Sequence, residues 1–345
     1  MKLLLPIALL LSPAVSPAQN VEPAADVPIR VEVNVVNVPV TVADKEGRFV
    51  VDLTKDDFRV YEDGRRVQIR YLTSSTDETM PPLRIGFLVD MSNAARLYYK
   101  TYKNSIGDLA FSLVPEDGAH KGFLLGYHSE VDELVKMTND AYLIAEKLER
   151  LKHGGGSALL DAVYQACTKQ LAEAEYSGPG EPRRAIIVIG DGHDNASRFS
   201  LSEVIHIAQR AQVTVYGIST IAWGFHQEGE DNLKRLVQET GGVLVHPMEQ
   251  VHKGVSGYLS KPQDAGNFVY TVGTGEYNQA QLEALHKAIT DITGTVQSQY
   301  LLGYVPTRPF TDDKFRSIRV EVKLEHAVDV TVRHRTGYFP PAANP

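Results

Sequence analysis

Two apolar runs in this chain end on an aspartate. Leu83 to Val89 (LRIGFLV) leads into Asp90-Met91-Ser92-Asn93-Ala94, and Ala185 to Ile189 (AIIVI) leads into Gly190-Asp191-Gly192-His193-Asp194-Asn195. Between them lies His153-Gly154-Gly155-Gly156-Ser157, a glycine loop that opens an amphipathic helical segment. If the two apolar runs are neighbouring strands, Asp90, Ser92, Ser157 and Asp191 converge on one spot. Two carboxylates and two hydroxyls are hard oxygen ligands. They suit Mg²⁺ or Mn²⁺, which takes about six oxygens at roughly 2.0–2.1 Å and keeps several waters. Either aspartate alone could simply cap the helix that follows it. Both together, with Ser157, argue for a cation site.

Other chemistries fare worse. His128, His153 and His193 all fall in loops predicted on the same face, but no HExxH or carboxylate–histidine spacing supports zinc. The string His153-Gly154-Gly155-Gly156 resembles an oxyanion-hole loop. A hydrolase using it would need a G-x-S-x-G nucleophile elbow, and Gly254-Val255-Ser256-Gly257 lacks that spacing. Gly273-Thr274-Gly275 is not a dinucleotide fingerprint, and no G-K-[ST] phosphate loop exists. Asn195-Ala196-Ser197 fits a glycosylation sequon that chance also produces. Cys167, the single cysteine, lies on the apolar face of a helix and reads as a buried thiol. Asn93, His153, His193, Asp194 and Trp223 sit in the predicted top-face loops and are candidate partner contacts. For Asp194 a bond to the loop backbone is the competing role.

The elements that must hold these loops are legible in the patterning. From Leu83 onward strands and helices alternate, and the strands are continuous apolar runs covered on both faces. Repeated β-α units of this kind mean a doubly wound, mainly parallel sheet, with ligands bound at the strand carboxyl ends where the order reverses. The flanks are different. Arg30 to Val42 alternates, Phe58 to Tyr61 is a strand, and Glu62-Asp63-Gly64 turns into Val67 to Tyr71. After Gln299, Ser317 to Leu324 and Val328 to Val332 alternate again. Neither flank has enough strands for a good core, so the two are expected to pair into one β-sandwich with the α/β unit inserted. The expected divisions are 1–18, 27–78, 82–295 and 296–341. Residues 248–277 have weak periodicity and several glycines, and exceed a usual connection.

Residues 1–18 read as a secretory signal: a positive start, a short apolar run too short to span a bilayer, and small residues before a cut after Ala18. Export to the periplasm or beyond is the expected destination. The chain has 35 Lys and Arg against 43 Asp and Glu, a formal net charge of −8. With no basic excess to neutralise phosphates, a nucleic-acid partner is not expected. No later segment is apolar for long enough to be a transmembrane helix.

The same loops carry a family resemblance. DMSNA resembles the DxSxS motif of von Willebrand factor type A domains, GGGSAL the second-loop threonine motif with Ser157 in the threonine position, and IIVIGDGHDN the third-loop aspartate motif. VPVTVADKEGRFVVDLTKDDFRVYEDG, SQYLLGYVPTRP, KFRSIRVEVK and TGYFPP resemble the flanks of a bacterial exported family that carries such a domain. The resemblance implies a metal-ion-dependent adhesion site at Asp90, Ser92, Ser157 and Asp191. The cation's open position would accept an acidic oxygen from a protein partner, and the function would be recognition rather than turnover. One departure stands out: Ala94 replaces the second serine, so one hydroxyl ligand is absent and a water would have to fill its place. The alternatives are a metal-independent envelope assembly protein and, less well supported, a hydrolase using the histidine-rich loops.

Overall fold

The computed structural model describes residues 35–340, apart from 117, 173–175, 177–180, 222–227, 250, 252–274 and 325–328. The chain divides into two compact units, residues 1–33 and 34–345. Every described residue belongs to the second. The expected signal segment, Trp223 and most of 248–277 lie outside the described residues.

A six-stranded sheet forms the centre. Its order is β10 (Leu244–Val245), β9 (Val213–Ser219), β8 (Arg183–Gly190), β5 (Leu83–Asp90), β6 (Lys121–Tyr127) and β7 (Val131–Thr138). All neighbours run parallel except β7, which returns antiparallel beside β6. Every residue of β5 is buried, Arg84 among them with its guanidinium donating to the carbonyls of Leu83 and Ala119, as a largely apolar run suits a strand covered on both faces. Its side chains divide by alternation. Ile85, Phe87 and Val89 pack with α1 (Tyr99–Leu113), α2 (Ala141–Leu148) and α6 (Gly275–Gln297), whereas Leu88 packs with α3 (Leu159–Gln165), α4 (Leu201–Arg210) and α5 (Glu228–Thr240). This is the expected doubly wound α/β architecture.

The flanks close on each other. β1 (Val36–Ala43), β4 (Ile69–Thr73), β11 (Tyr300–Tyr304) and β13 (Thr331–Arg333) form one antiparallel sheet in the order β13-β1-β11-β4. β2 (Phe58–Glu62), β3 (Arg65–Val67), β12 (Arg316–Val322) and β14 (Gly337–Tyr338) form the other, in the order β14-β12-β2-β3. Strands from before and after the α/β unit alternate in the first sheet and meet at the single β12–β2 seam in the second. The sheets share one core in which Val36, Val38 and Val40 meet Phe58, Val60, Leu302, Ile318 and Val320. The buried–exposed alternation of β2 and β12 is that of strands with one face on this core. Glu62 is fully buried there. Its carboxylate accepts hydrogen bonds from the Tyr304 hydroxyl at 2.9 Å, the Tyr338 hydroxyl at 2.8 Å and the Thr307 amide at 2.8 Å.

Element ends differ from the expected ones in two places that bear on the site. A helix expected from Ala94 begins instead as a single 3-10 turn, Ala95–Leu97, with α1 starting at Tyr99. The helix after Ser157 is α-helical only to Gln165 and continues as a π turn over Ala166–Leu171, which buries Cys167.

Candidate functional site

The first strand of the α/β unit, β5, lies between β6 and β8, so the strand order reverses beside it. Val89 is in register with Ile189. The acidic ends of β5 and β8 are therefore neighbours at the crevice where such sheets bind ligands. Backbone bonds lace three loops around that crevice. Gly154 N–H donates to Met91 O at 2.8 Å and Asn93 N–H to Gly155 O at 3.2 Å, which ties the first loop to the second. Asn195 and Ala196 N–H both donate to Ser157 O at 3.0 Å, which ties the third loop to the second.

Each candidate oxygen is held within this lacework. Asp90 is 4% exposed, and its Oδ1 accepts from Ser92 N–H at 2.7 Å. Ser92 is buried beside it, with Oγ turned back toward Ala95 N–H at 3.4 Å. Ser157 is buried, and its hydroxyl donates to His193 O at 2.7 Å while its amide donates to Asn195 Oδ1 at 2.8 Å. Because the Ser157 proton is used on a carbonyl, the oxygen's lone pairs are left for another acceptor role. Asp191 is half-buried, with Oδ1 accepting from His193 N–H at 2.9 Å. Two glycines make this approach feasible. A Cβ on Gly190 would stand 2.2 Å from the Tyr127 hydroxyl and 3.2 Å from Asp90 Cβ. Gly192 has φ +79°, a left-handed conformation that few other residues tolerate, and a Cβ there would strike Gly229 O.

The electrostatics are those of two neighbouring acids, one of them buried, with His193 the charged neighbour that offsets Asp90. Burial pushes the Asp90 carboxyl up to about 6. Hydrogen bonds from Ser92 oppose the rise and the Asp191 charge adds to it. Tyr127, wholly buried beneath, is also raised, first by desolvation and then by Asp90, Asp191 and Asp194. No lysine or arginine ion-pairs with Asp90 or Asp191 among the described residues. The donor set thus fits a small hard dication, which would restore the charge that burial penalises. Among the described residues no group of three or more histidine, cysteine or acidic side chains is placed to hold a metal. A cation here would therefore draw on the hydroxyls and on water as well as two carboxylates.

The remaining candidates separate. Asn93 and His193 are exposed at the crevice, with their backbone amides engaged. His153 is half-buried with its ring 4.4 Å from that of Tyr99, and its pKa is lowered by burial and by the charge of Arg96. Asp194 is committed elsewhere. Its Oδ2 accepts from Leu160 N–H at 2.8 Å and from the Ser197 hydroxyl at 2.6 Å, so it caps the start of α3, the backbone role expected of it. Ala94 is exposed on the first loop. His128 pairs with Asp132 at 3.2 Å. Three residues of the site escape sequence reasoning. Ser129 accepts from Gly156 N–H at 2.9 Å, Asn195 orients Ser157, and Tyr127 floors the crevice. Each belongs to a segment far along the chain from the loop it supports, and no local spacing marks it.

The family model for the von Willebrand factor type A domain matches residues 85–252. No curated protein matches the chain. Solved structures with similar folds include a proximal thread matrix protein from the mussel byssus, at 17% identity over 51% of this chain and 47% of that one, TM-score 0.42. The PilB minor pilin from Streptococcus sanguinis matches at 12% identity over 64% and 63%, TM-score 0.43. The corresponding domain of the type V pili tip protein Mfa5 from Porphyromonas gingivalis matches at 10% over 55% and 99%, TM-score 0.39. The chain thus spans about half the length of the mussel protein and under two thirds of the pilin. At these identities and TM-scores the likenesses carry no argument about this chain. The family match, the strand order and the three loops in sequence make residues 85–252 a von Willebrand factor type A domain.

Proposed function

We propose that the chain is an exported, non-enzymatic interaction module that recognises a protein partner through a divalent cation held at the carboxyl ends of β5 and β8. The carrying observation is the junction of Asp90, Ser92, Ser157 and Asp191 in one laced crevice with no basic side chain among the described residues paired to either carboxylate. These residues would hold Mg²⁺ or Mn²⁺, and the cation would supply a Lewis-acidic position for a partner's carboxylate. The protein's own work is to fix the oxygens and to present Asn93 and His193 around them. No nucleophile–base pair supports turnover among the described crevice residues, where the hydroxyl of Ser157 is spent on a carbonyl.

Ala94 favours one competing reading, in which the domain binds its partner without metal. The two separate in a calorimetric titration of the wild-type chain and of Asp90→Ala with Mg²⁺ and with Mn²⁺. Saturable heat and thermal stabilisation in the wild type, lost in the variant, support the cation-dependent reading. A wild type that gives neither supports the metal-free one. Export rests on the sequence of residues 1–18. Among the described residues no helix is long and apolar enough to cross a membrane.

A further inference from the structure

The stretch from Lys55 to Arg70 carries five cationic side chains, Lys55, Arg59, Arg65, Arg66 and Arg70, and four acidic ones. Three of the acids are already engaged. Asp57 accepts from Thr54 N–H at 2.8 Å, Glu62 is buried among hydroxyls, and Asp63 pairs with Arg308 at 2.9 Å. Only Asp63 is offset by a cation, and that cation lies outside the stretch, so five cationic side chains face three acidic ones, Asp56, Asp57 and Glu62. None of the four arginines has a carboxylate partner among the described residues. Arginines elsewhere on the surface are often paired: Arg48 is held by Asp44, Arg235 by Glu239 and Arg308 by Asp63. In a chain of net charge −8 this is an island of unbalanced positive charge.

The same stretch forms the open edge of a sheet. β3 pairs with β2 on one side and with no described strand on the other, and β4 likewise ends its own sheet beyond β11. Beside β3 runs a groove of about 470 Å³, walled by Lys55, Arg59 and Arg66 against the single acid Asp56, with Val67 and Ile69 along its margin. Arg59 Nη1 donates to the carbonyl oxygens of Asp56 and Phe58. Those bonds fix the guanidinium at the wall without neutralising it. Charged side chains on an edge strand serve by default to repel other strands. That accounts for the exposed Arg65 and Arg70. It does not account for a concave site with an anchored guanidinium and an apolar margin.

We propose that this groove and the β3 edge bind an extended acidic segment of a partner polypeptide. Its backbone pairs with the open N–H and C=O groups of β3. Carboxylates on alternate residues meet Lys55, Arg59 and Arg66, and the intervening small apolar side chains rest on Val67 and Ile69. A phosphate headgroup would use the charges but not the edge, so the combination of the two selects a polypeptide. This contact is separate from the cation site and does not depend on it.

The test is fluorescence anisotropy of a labelled ten-residue peptide of alternating Glu and Val with the full chain, in EDTA so that the cation site contributes nothing. The proposal expects saturable binding that weakens at least tenfold in Arg59→Gln/Arg66→Gln, and at least tenfold again when alternate amides of the peptide are N-methylated. The exposed single variant Arg66→Glu, with circular dichroism matching the wild type, guards against a misfolded double variant and should lose binding to a similar degree. Absence of binding overturns the proposal. So does an N-methylated peptide that binds as well as the parent, or vesicles of phosphatidylglycerol that bind while the peptide does not. Either of the last two results would reduce the groove to a site for negative charge alone.

Discussion

Replacing Asp90 with asparagine removes a charge and leaves the shape. Asparagine keeps an Oδ1 to accept the Ser92 amide, now held at 2.7 Å, so the loop loses no hydrogen bond there. It does lose the cost of an ionised group that is 4% exposed. Burial, reinforced by Asp191, raises the carboxyl from the ordinary 3.8 to about 6. The folded state therefore binds the Asp90 proton more tightly than the unfolded state does. Stability falls as pH rises from about 4 through about 6, then stays low. A difference of about two pH units corresponds to about 3 kcal/mol at pH 7. Without divalent cation at pH 7, Asp90→Asn should be more stable than the wild type by up to about 3 kcal/mol, with the gain shrinking to nothing near pH 4. Saturating Mn²⁺ should stabilise the wild type and leave the variant unmoved. Urea denaturation at pH 4, 5.5 and 7, in EDTA and in Mn²⁺, reads all of these. A variant equal to or weaker than the wild type at pH 7 in EDTA, or a gain that does not change with pH, would refute the reasoning.

Three further outcomes follow from particular contacts. Ala94→Ser restores a hydroxyl to the first loop and should tighten Mn²⁺ binding several-fold by calorimetry; unchanged affinity would mean that position 94 does not reach the cation. Gly190→Ala would place a methyl 2.2 Å from the Tyr127 hydroxyl, at a cost of roughly 1–3 kcal/mol. Adding Tyr127→Phe should return part of that loss in a thermal melt, and no recovery would put the strain elsewhere. Glu62→Ala leaves the Tyr304 and Tyr338 hydroxyls and the Thr307 amide without their common acceptor. Urea unfolding of that variant should show a loss of about 3 kcal/mol or more, and a loss under 1 kcal/mol would mean that water replaces the carboxylate.

Much of the architecture is written in local pattern. AIIVI is an unbroken apolar run and LRIGFLV is one but for Arg84; strands sandwiched between helix layers need such runs, so β5, β8 and the crevice at their acidic ends follow directly. The flanks are legible by insufficiency: each has too few strands to bury a face, and β11 and β12 duly pair with β1 and β2. What local pattern does not carry is the partner of a polar group. Asp194 looks like a crevice acid until α3 is seen to begin against it, with Leu160 N–H on its carboxylate 34 residues away. Ser129 and Tyr127 support the site from β6 and the turn after it, and nothing in their own neighbourhood says so. The arginines of β2 to β4 are likewise unremarkable in sequence, where acids alternate with them. Their lack of partners emerges once Glu62 is turned inward and Asp63 is taken by Arg308. The early end of α-helix at Gln165 has no signal that we can identify.

The central claim is that oxygens from three loops surround one cation. It is tested most directly by diffraction from crystals of the chain grown with Mn²⁺, using the anomalous signal of the metal to locate it. A single peak bounded by the side chains of Asp90, Ser92, Ser157 and Asp191 is the predicted result. A map with no peak there at saturating Mn²⁺, or with the metal held by other residues, would contradict it.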